Sequence, residues 1–259
     1  MALMFRFLWW VRSEKYAEKW FTRSVPTLVC GFCSAKADIF SRVNRPVETS
    51  EQHIDSHFEG SDPSTLDAVA KSMYVCNDFI TSEEESVLVS EIEPQVKRLK
   101  YEGSHWDDAI HGYREIERNK WSKPSEAIIK RVRDLAFGPG VSQISHVHCL
   151  DLEESGYIKP HVDSVRFCGD TIAGLSLLSE AVMKLVHEKD KEKWVKIYLR
   201  RRSLYIMTGT ARYDFTHEVL PNSLSLFKSL PVKKTRRISV MCRNEPARED
   251  STDVRDVPK

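Results

Sequence analysis

Hydrophobic residues first recur at helical spacing along this chain and later, in its second half, alternate as in strands. The first helical segment begins near residue 82. Ser82 with Glu85 makes a capping box there, and Thr81 with Glu84 is the competing frame. Pro94 marks the expected end of this helix, because proline lacks the backbone N–H that a helix interior needs.

A second helix is predicted from Lys123 to Ala136, with Ser122 as its N-cap. The Gly-Pro-Gly segment at residues 138–140 is expected to end it. Apolar residues three and four positions apart form one stripe, which should face the core. This stripe comprises Ile128, Ile129, Val132 and Leu135.

Short runs rich in β-branched and aromatic residues follow the second helix, separated by segments such as GYIKP, EKDKEK and PNSLS. Seven or eight short strands without intervening helices are typical of a sandwich or barrel. The chain is therefore predicted to be an α+β protein, mainly β, with helices preceding an all-β block. The runs span residues 141–152, 171–178, 181–188, 194–201, 203–209, 213–219 and 236–242.

Composition divides the chain into four parts. Residues 1–45 are rich in basic and apolar residues and poor in acidic ones. This favours a mitochondrial targeting presequence over a helix of the fold or a membrane-surface helix. Residues 46–70 are polar and broken by Pro and Gly, which predicts a linker. Residues 71–243 are assigned to the folded domain, and residues 244–259 to a disordered tail.

The charged residues nearly balance, with a formal net charge of +1. This argues against a broad nucleic-acid-binding surface, although a local basic groove is compatible with it. No transmembrane segment is predicted, because no stretch approaches the roughly 20 uninterrupted apolar residues of a membrane span.

A candidate metal site begins at His161 and Asp163, one residue apart in GYIKPHVDS. Residues i and i+2 of an extended segment share a face. His217, in a later strand-like run, supplies a second histidine. Two histidines and one carboxylate form the facial triad of non-haem Fe(II) oxygenases, which leaves positions open. The alternatives are a surface turn pair for His161 and Asp163, and a hydrogen-bonded core residue for His217.

A candidate co-substrate site follows on the last strand-like run. Arg237, Ser239, Met241 and Arg243 alternate onto one face. An arginine fork binds a carboxylate through two parallel hydrogen bonds, which lysine cannot copy. Tyr205, in a neighbouring run, could add a phenolic donor. The alternative for Arg237 is a strand-edge side chain that extends to solvent.

Two other His-x-Asp triplets compete with the first. His53 and Asp55 lie in the predicted linker, where no rigid scaffold would hold them. His105 and Asp107 precede the β block among charged residues, and they are expected to line the mouth of a cavity.

Four blocks in order resemble the AlkB-homologue family of Fe(II)- and 2-oxoglutarate-dependent dioxygenases: GYIKPHVDS, FCGDTIAGLSLLS, SLYIMTGTARYDFTHE and RRISVMCR. The resemblance, over residues 74–243, implies a double-stranded β-helix, or jelly-roll, that uses Fe(II), 2-oxoglutarate and O2. It also implies roles for the candidate residues. These are metal ligation for His161, Asp163 and His217, and co-substrate binding for Tyr205, Arg237 and Arg243, with Arg237 on the far carboxylate.

The chain departs from that family pattern at four places. Leu150-Asp-Leu152 stands where nucleic-acid-acting members carry Asn-x-Tyr. Ser239 and Met241 replace Asn and Thr between the closing arginines. Val165 replaces the acidic residue with which some base-repairing members read a flipped base. The segment before the β block, where the family builds a nucleotide-recognition lid, is short. These changes favour a protein over a flipped base as substrate.

The predicted function is therefore that of a mitochondrial matrix dioxygenase that hydroxylates a protein. The resemblance also implies links to fatty-acid metabolism and regulated necrosis. An RNA N-methyl demethylase acting on mitochondrial RNA is the alternative, supported by basic stretches at residues 196–202 and 233–237. A non-catalytic binding module on the same barrel is a second alternative.

Overall fold

The computed structural model describes residues 57–247. The predicted presequence, the triplet of His53 and Asp55, and residues 248–259 of the predicted tail lie outside this part of the chain.

Ten strands of the described region form one curled antiparallel sheet, and two more form a small hairpin. The order in the large sheet is β1-β7-β6-β9-β4-β12-β5-β8-β2, with β3 also paired to β4. The strands are β1 Phe58–Gly60, β2 Met73–Cys76, β3 Ile110–Arg118, β4 Val147–His161, β5 Ile172–Leu177, β6 Ala181–His187, β7 Trp194–Leu199, β8 Leu204–Met207, β9 Phe215–Val219, β10 Leu226–Phe227, β11 Leu230–Pro231 and β12 Arg237–Arg243.

The long strand β4 joins the two halves of the sheet. Its first half pairs with β12, from His148 to Leu152, and its last residues pair with β9, at Ile158 and His161. The halves curl so that side chains of β5 and β8 pack against side chains of β6, β7 and β9 in one hydrophobic cluster. This arrangement is the double-stranded β-helix, or jelly-roll, and the predicted fold class is confirmed.

Within residues 57–247, four helices accompany the sheet: α1 Pro63–Ala70, α2 Ser82–Val96, α3 Lys123–Ala136 and α4 Gly209–Tyr213. The buried faces of α2 and α3 pack in a cluster with β5, β8 and β12. All six residues of β5 are therefore buried, since one face of this strand meets the helices and the other faces the jelly-roll interior. None of these helices has the length and apolar character needed to cross a membrane.

The helix predictions hold with two corrections. The capping box of α2 is formed by Thr81 and Glu84, so the competing frame is the correct one. Pro94 lies inside α2, which continues to Val96, because proline within the last turn removes only one backbone hydrogen bond. α3 begins and ends where predicted, although Ser122 makes no side-chain capping bond.

Part of the predicted linker belongs to the fold. Phe58 is buried, and β1 pairs with β7. Asp62 accepts hydrogen bonds from the backbone N–H of Thr65 and from the Ser64 hydroxyl, which caps α1. Capping residues and the solvated face of a short helix have the composition of a loop, and this similarity led to the linker prediction.

Three further differences concern the β block. β3 was not predicted, because four of its last five residues are charged. The GYIKP segment is extended within β4 and is not a turn. One short helix, α4, interrupts the strands. Asn244, assigned to the tail, is buried, and its side-chain oxygen accepts a hydrogen bond from the backbone N–H of Thr171.

Candidate active site

Adjacent strands bring the three predicted metal ligands together. His161 is the last residue of β4 and lies directly opposite His217 of β9, with ring centroids 4.2 Å apart. A bulge in β4 between Ile158 and His161 sets this register. Asp163 follows two residues later, and one potential ligand atom from each of the three side chains lies within 4.8 Å of the others.

The orientation of these side chains suits a metal ion. His161 Nδ1 donates a hydrogen bond to the carbonyl of Lys159 at 2.9 Å, which leaves Nε2 directed towards the cluster. Oδ1 of Asp163 lies 3.3 Å from Nε2 of His161 and 3.7 Å from Nε2 of His217. The donor set of two imidazoles and one carboxylate therefore fits Fe(II) and leaves positions open for other ligands.

Burial and the neighbouring charges shift the pKa values of the three groups in different directions. Burial and the neighbouring His161 lower the pKa of His217 to about 3, so this imidazole is neutral. Burial opposes protonation of His161 as well, but contact with Asp163 outweighs it and raises the pKa. Burial opposes ionisation of Asp163, yet Arg243 and the histidines hold the pKa of this carboxyl well below its usual range.

Arg243 orients the carboxylate. It ends β12, and its Nε donates to Oδ2 of Asp163 at 3.0 Å, so Oδ1 remains turned to the histidines. Its Nη1 lies 3.4 Å from Nδ1 of His148, whose Nε2 lies 2.8 Å from Oε2 of Glu115. Arg243 was predicted to bind the co-substrate. The structure places it in contact with Asp163 on the wall of the same cavity.

Arg237 has no carboxylate partner among the described residues. Its guanidinium is buried and donates to the hydroxyls of Ser239 and Ser176, while Nε has no hydrogen-bond partner there. Burial lowers its pKa, and the nearby Tyr205 offsets this only in part. A buried, unpaired cation is costly, and a ligand carboxylate would remove that cost. The site thus fits the far carboxylate of 2-oxoglutarate.

Tyr205 completes the predicted set, and it depends on a glycine that sequence reasoning missed. Tyr205 lies on β8 and lines the cavity together with His161, Asp163, His217 and Arg237. Its ring covers Gly174, its register partner on β5. Any side chain at Gly174 would overlap this ring. The signal was present in the sequence, because a glycine within a strand pattern often marks a close approach.

The wall beside the metal ligands includes residues from outside the all-β block. His105 and Asp107 line the cavity, as predicted for this triplet. Glu115 of β3 also lines it, and sequence reasoning missed this residue because β3 itself was not predicted.

Comparison with known proteins agrees with this geometry. The family model described as "2OG-Fe(II) oxygenase superfamily" matches residues 72–243. The chain belongs to this superfamily. It is a dioxygenase, and the family's metal, co-substrate and oxidant are Fe(II), 2-oxoglutarate and O2.

Two relatives assign the dioxygenase to the AlkB homologues. Both are named "Alpha-ketoglutarate-dependent dioxygenase alkB homolog 7, mitochondrial". The mouse protein is 54% identical over 187 residues, and the bovine protein 50% identical over 187 residues. Each match covers 72% of this chain and 85% of the relative. Their names support a mitochondrial location for this chain.

The likeness to solved structures is more distant. The structure of OsALKBH1 superposes with a TM-score of 0.49 and 14% sequence identity, over 66% of this chain and 97% of that chain.

Proposed function

We propose that this dioxygenase hydroxylates a side chain of a protein substrate in the mitochondrial matrix. One observation favours protein over RNA: the two basic stretches that support the RNA alternative are largely engaged with carboxylates of the same chain. The retained triad, and the unpaired Arg237 in the same cavity, support catalysis over a non-catalytic binding module.

Each site residue has a separate task in this proposal. Nε2 of His161, Nε2 of His217 and Oδ1 of Asp163 would hold the metal, and Arg243 keeps Asp163 turned towards it. Arg237 would bind the far carboxylate of 2-oxoglutarate through its fork. When bound, these groups supply oxidising chemistry that converts a substrate C–H bond and O2 into C–OH, while 2-oxoglutarate becomes succinate and CO2.

The first basic stretch, residues 196–202, is mostly neutralised. Arg201 forms hydrogen bonds with both carboxylate oxygens of Glu85, which is buried. Arg202 pairs with Asp78 at 2.8 Å, and Lys196 lies 3.5 Å from Glu59. Cations held in this way contribute little to a phosphate-binding surface, because their charge is already compensated.

The basic side chains of the second stretch, residues 233–237, are also mostly paired or buried within the protein. Lys233 pairs with Glu154, and Arg236 pairs with both Glu93 and Asp151. Lys234 is buried and donates to two backbone carbonyls, which removes it from the surface. Arg237 points into the cavity.

The test uses the full chain with Fe(II), ascorbate and 2-oxoglutarate, beside a His217→Ala control. Succinate production is measured first. Mitochondrial protein extract and mitochondrial RNA are then supplied separately, and the products are analysed by mass spectrometry. We expect succinate and one added oxygen atom on a protein side chain, both absent from the control.

Other outcomes would assign the activity differently. Formaldehyde release and demethylated nucleosides, without protein oxidation, would establish the RNA alternative. Equal succinate from both proteins would overturn the triad. Reversal of Arg200 is the cleanest check on RNA binding, since reversing Arg201 would also break its pairing with buried Glu85. The links to fatty-acid metabolism and regulated necrosis stay predictions.

A further inference from the structure

The wall of the active-site cavity contains a carboxylate that the mechanism above does not use. Asp107 lies in the loop between α2 and β3, and its side chain is 8% exposed. It lines the same cavity as the three metal ligands and Arg237. Its position is therefore one that a bound substrate would meet.

The two oxygens of Asp107 have different surroundings. Oδ1 accepts a hydrogen bond from the backbone N–H of Ala109 at 3.0 Å and lies 2.5 Å from Nδ1 of His105. Oδ2 is buried and has no hydrogen-bond partner among the described residues. Contacts within the loop therefore satisfy Oδ1 but not Oδ2. A buried carboxylate oxygen without a donor is costly, so Oδ2 is suited to a donor that arrives with a ligand.

The charge of the loaded cavity indicates what kind of donor this is. The two charges of Fe(II) would offset the two of 2-oxoglutarate. Arg237 and Arg243 offset two of the three carboxylates on the cavity wall, which are Asp107, Glu115 and Asp163. Among these groups, counted without the cavity histidines, one negative charge remains. A cationic substrate group would neutralise it, whereas an anionic group would add to it.

The neighbouring side chain suits a long cationic residue. Trp106 is 58% exposed, and its ring packs beside His105, which lines the cavity. An indole face attracts a cation and covers the aliphatic stem of lysine or arginine.

We propose that Asp107 selects the substrate by accepting a hydrogen bond from a cationic lysine or arginine side chain of the protein that is hydroxylated. This inference rests on the proposed function. Asp107 acts in recognition, and the iron and co-substrate residues carry out the oxidation.

The test compares the wild type with Asp107→Asn and with Asp108→Asn. Asparagine keeps an oxygen for the N–H of Ala109 but replaces Oδ2 by an NH2 donor, which repels the proposed ligand group. Asp108 is the matched control, because it is exposed and pairs with Lys159 outside the cavity lining. Thermal unfolding shows whether each variant is folded. Asp107→Ser is a second variant, in case asparagine disturbs the loop.

The probes are fluorescent pools of short peptides with random flanks and one fixed central residue. Lysine is compared with its neutral isostere norleucine, and arginine with citrulline. Dissociation constants are measured by anisotropy with Fe(II) and 2-oxoglutarate, without O2, so that no turnover occurs. An oligoribonucleotide that contains the cationic base N1-methyladenosine is the RNA arm.

We expect a cationic pool to bind the wild type about tenfold or more tightly than its neutral partner. This preference should disappear in Asp107→Asn and persist in Asp108→Asn; which pool is preferred identifies the residue. The inference is refuted if neither charged pool binds, if neutral pools bind equally well, or if Asp107→Asn keeps the preference. Tighter binding of the RNA arm that depends on Asp107 would refute the protein source. A wild type that makes succinate but shows no charge preference would refute the role of Asp107 and leave the proposed dioxygenase activity intact.

Discussion

Two adjacent arginines, Arg236 and Arg237, should respond to the same substitution with opposite changes in stability. Arg237 is buried without a carboxylate partner among the described residues. Replacing it with methionine keeps the length and removes the charge. A buried ion costs several kcal/mol, and the hydroxyls of Ser239 and Ser176 offset part of that cost. We therefore expect Arg237→Met to raise the free energy of unfolding of the ligand-free protein by about 1–2 kcal/mol.

The same substitution should weaken the binding of 2-oxoglutarate. Breaking a buried ion pair by removing one partner costs about 3–5 kcal/mol. Because each 1.4 kcal/mol is a factor of about ten, Arg237→Met should weaken 2-oxoglutarate binding about 100-fold or more. The affinity of Arg237→Lys for 2-oxoglutarate should lie between those of the wild type and Arg237→Met, since lysine keeps the charge but loses the fork.

Urea unfolding with and without 2-oxoglutarate measures both effects, with Mn(II) in place of iron to prevent turnover. At a co-substrate concentration of 100 Kd, the wild type should gain about 2.7 kcal/mol, and Arg237→Met should gain almost nothing at that concentration. The reasoning is refuted if Arg237→Met is the less stable protein without ligand and is still stabilised by 2-oxoglutarate.

Arg236 provides the control. It donates to Glu93 and to Asp151, whose side chain is fully buried. Arg114 also pairs with Asp151 and the Tyr101 hydroxyl donates to it, so this carboxylate would keep one cationic and one neutral partner. Arg236→Met should therefore lower the free energy of unfolding by about 1–3 kcal/mol and leave 2-oxoglutarate binding unchanged.

Three further predictions concern the scaffold. Thr81→Ala should lower the free energy of unfolding by about 1 kcal/mol, and Ser82→Ala by less than about 0.5 kcal/mol, because only Thr81 makes the capping box; urea unfolding distinguishes them. Gly174→Ala should cost about 1–3 kcal/mol and weaken 2-oxoglutarate binding, because the added methyl group overlaps the Tyr205 ring; unchanged binding by calorimetry would contradict this. Burial lowers the pKa of Lys234 from 10.5 to about 8. Between these pH values the unfolded chain binds more protons than the folded one, so the free energy of unfolding should rise with pH. Urea unfolding of Lys234→Met at several pH values should lack this rise.

Sequence reasoning identified the residues of the site that lie on regularly alternating strands. His161 lies on β4, and Arg237 and Arg243 share a face of β12 by their spacing, whereas Asp163 was identified although it lies just beyond the end of β4. It missed Glu115, because the charged residues of β3 look solvated in sequence, whereas several face the cavity or form ion pairs. Among the described residues, Oδ2 of Asp107 has no hydrogen-bond donor. The sequence could not predict this, since it follows from the conformation of one loop.

The two arginines of the site lie on a strand, whereas the residues expected to contact the substrate lie on loops. β12 carries both arginines and is hydrogen-bonded on both sides, to β4 and β5, so their positions are fixed by the sheet. Asp107 lies on a loop, and so does Val165, which follows Asp163. Rigid strands hold a site more accurately than loops, and loops vary with less effect on stability. Departures from the family pattern at loop positions therefore change which substrate fits and leave the iron and 2-oxoglutarate residues in place. For this reason we expect substitutions at Asp107 or Val165 to alter substrate preference, whereas those at Arg237 should act on co-substrate binding.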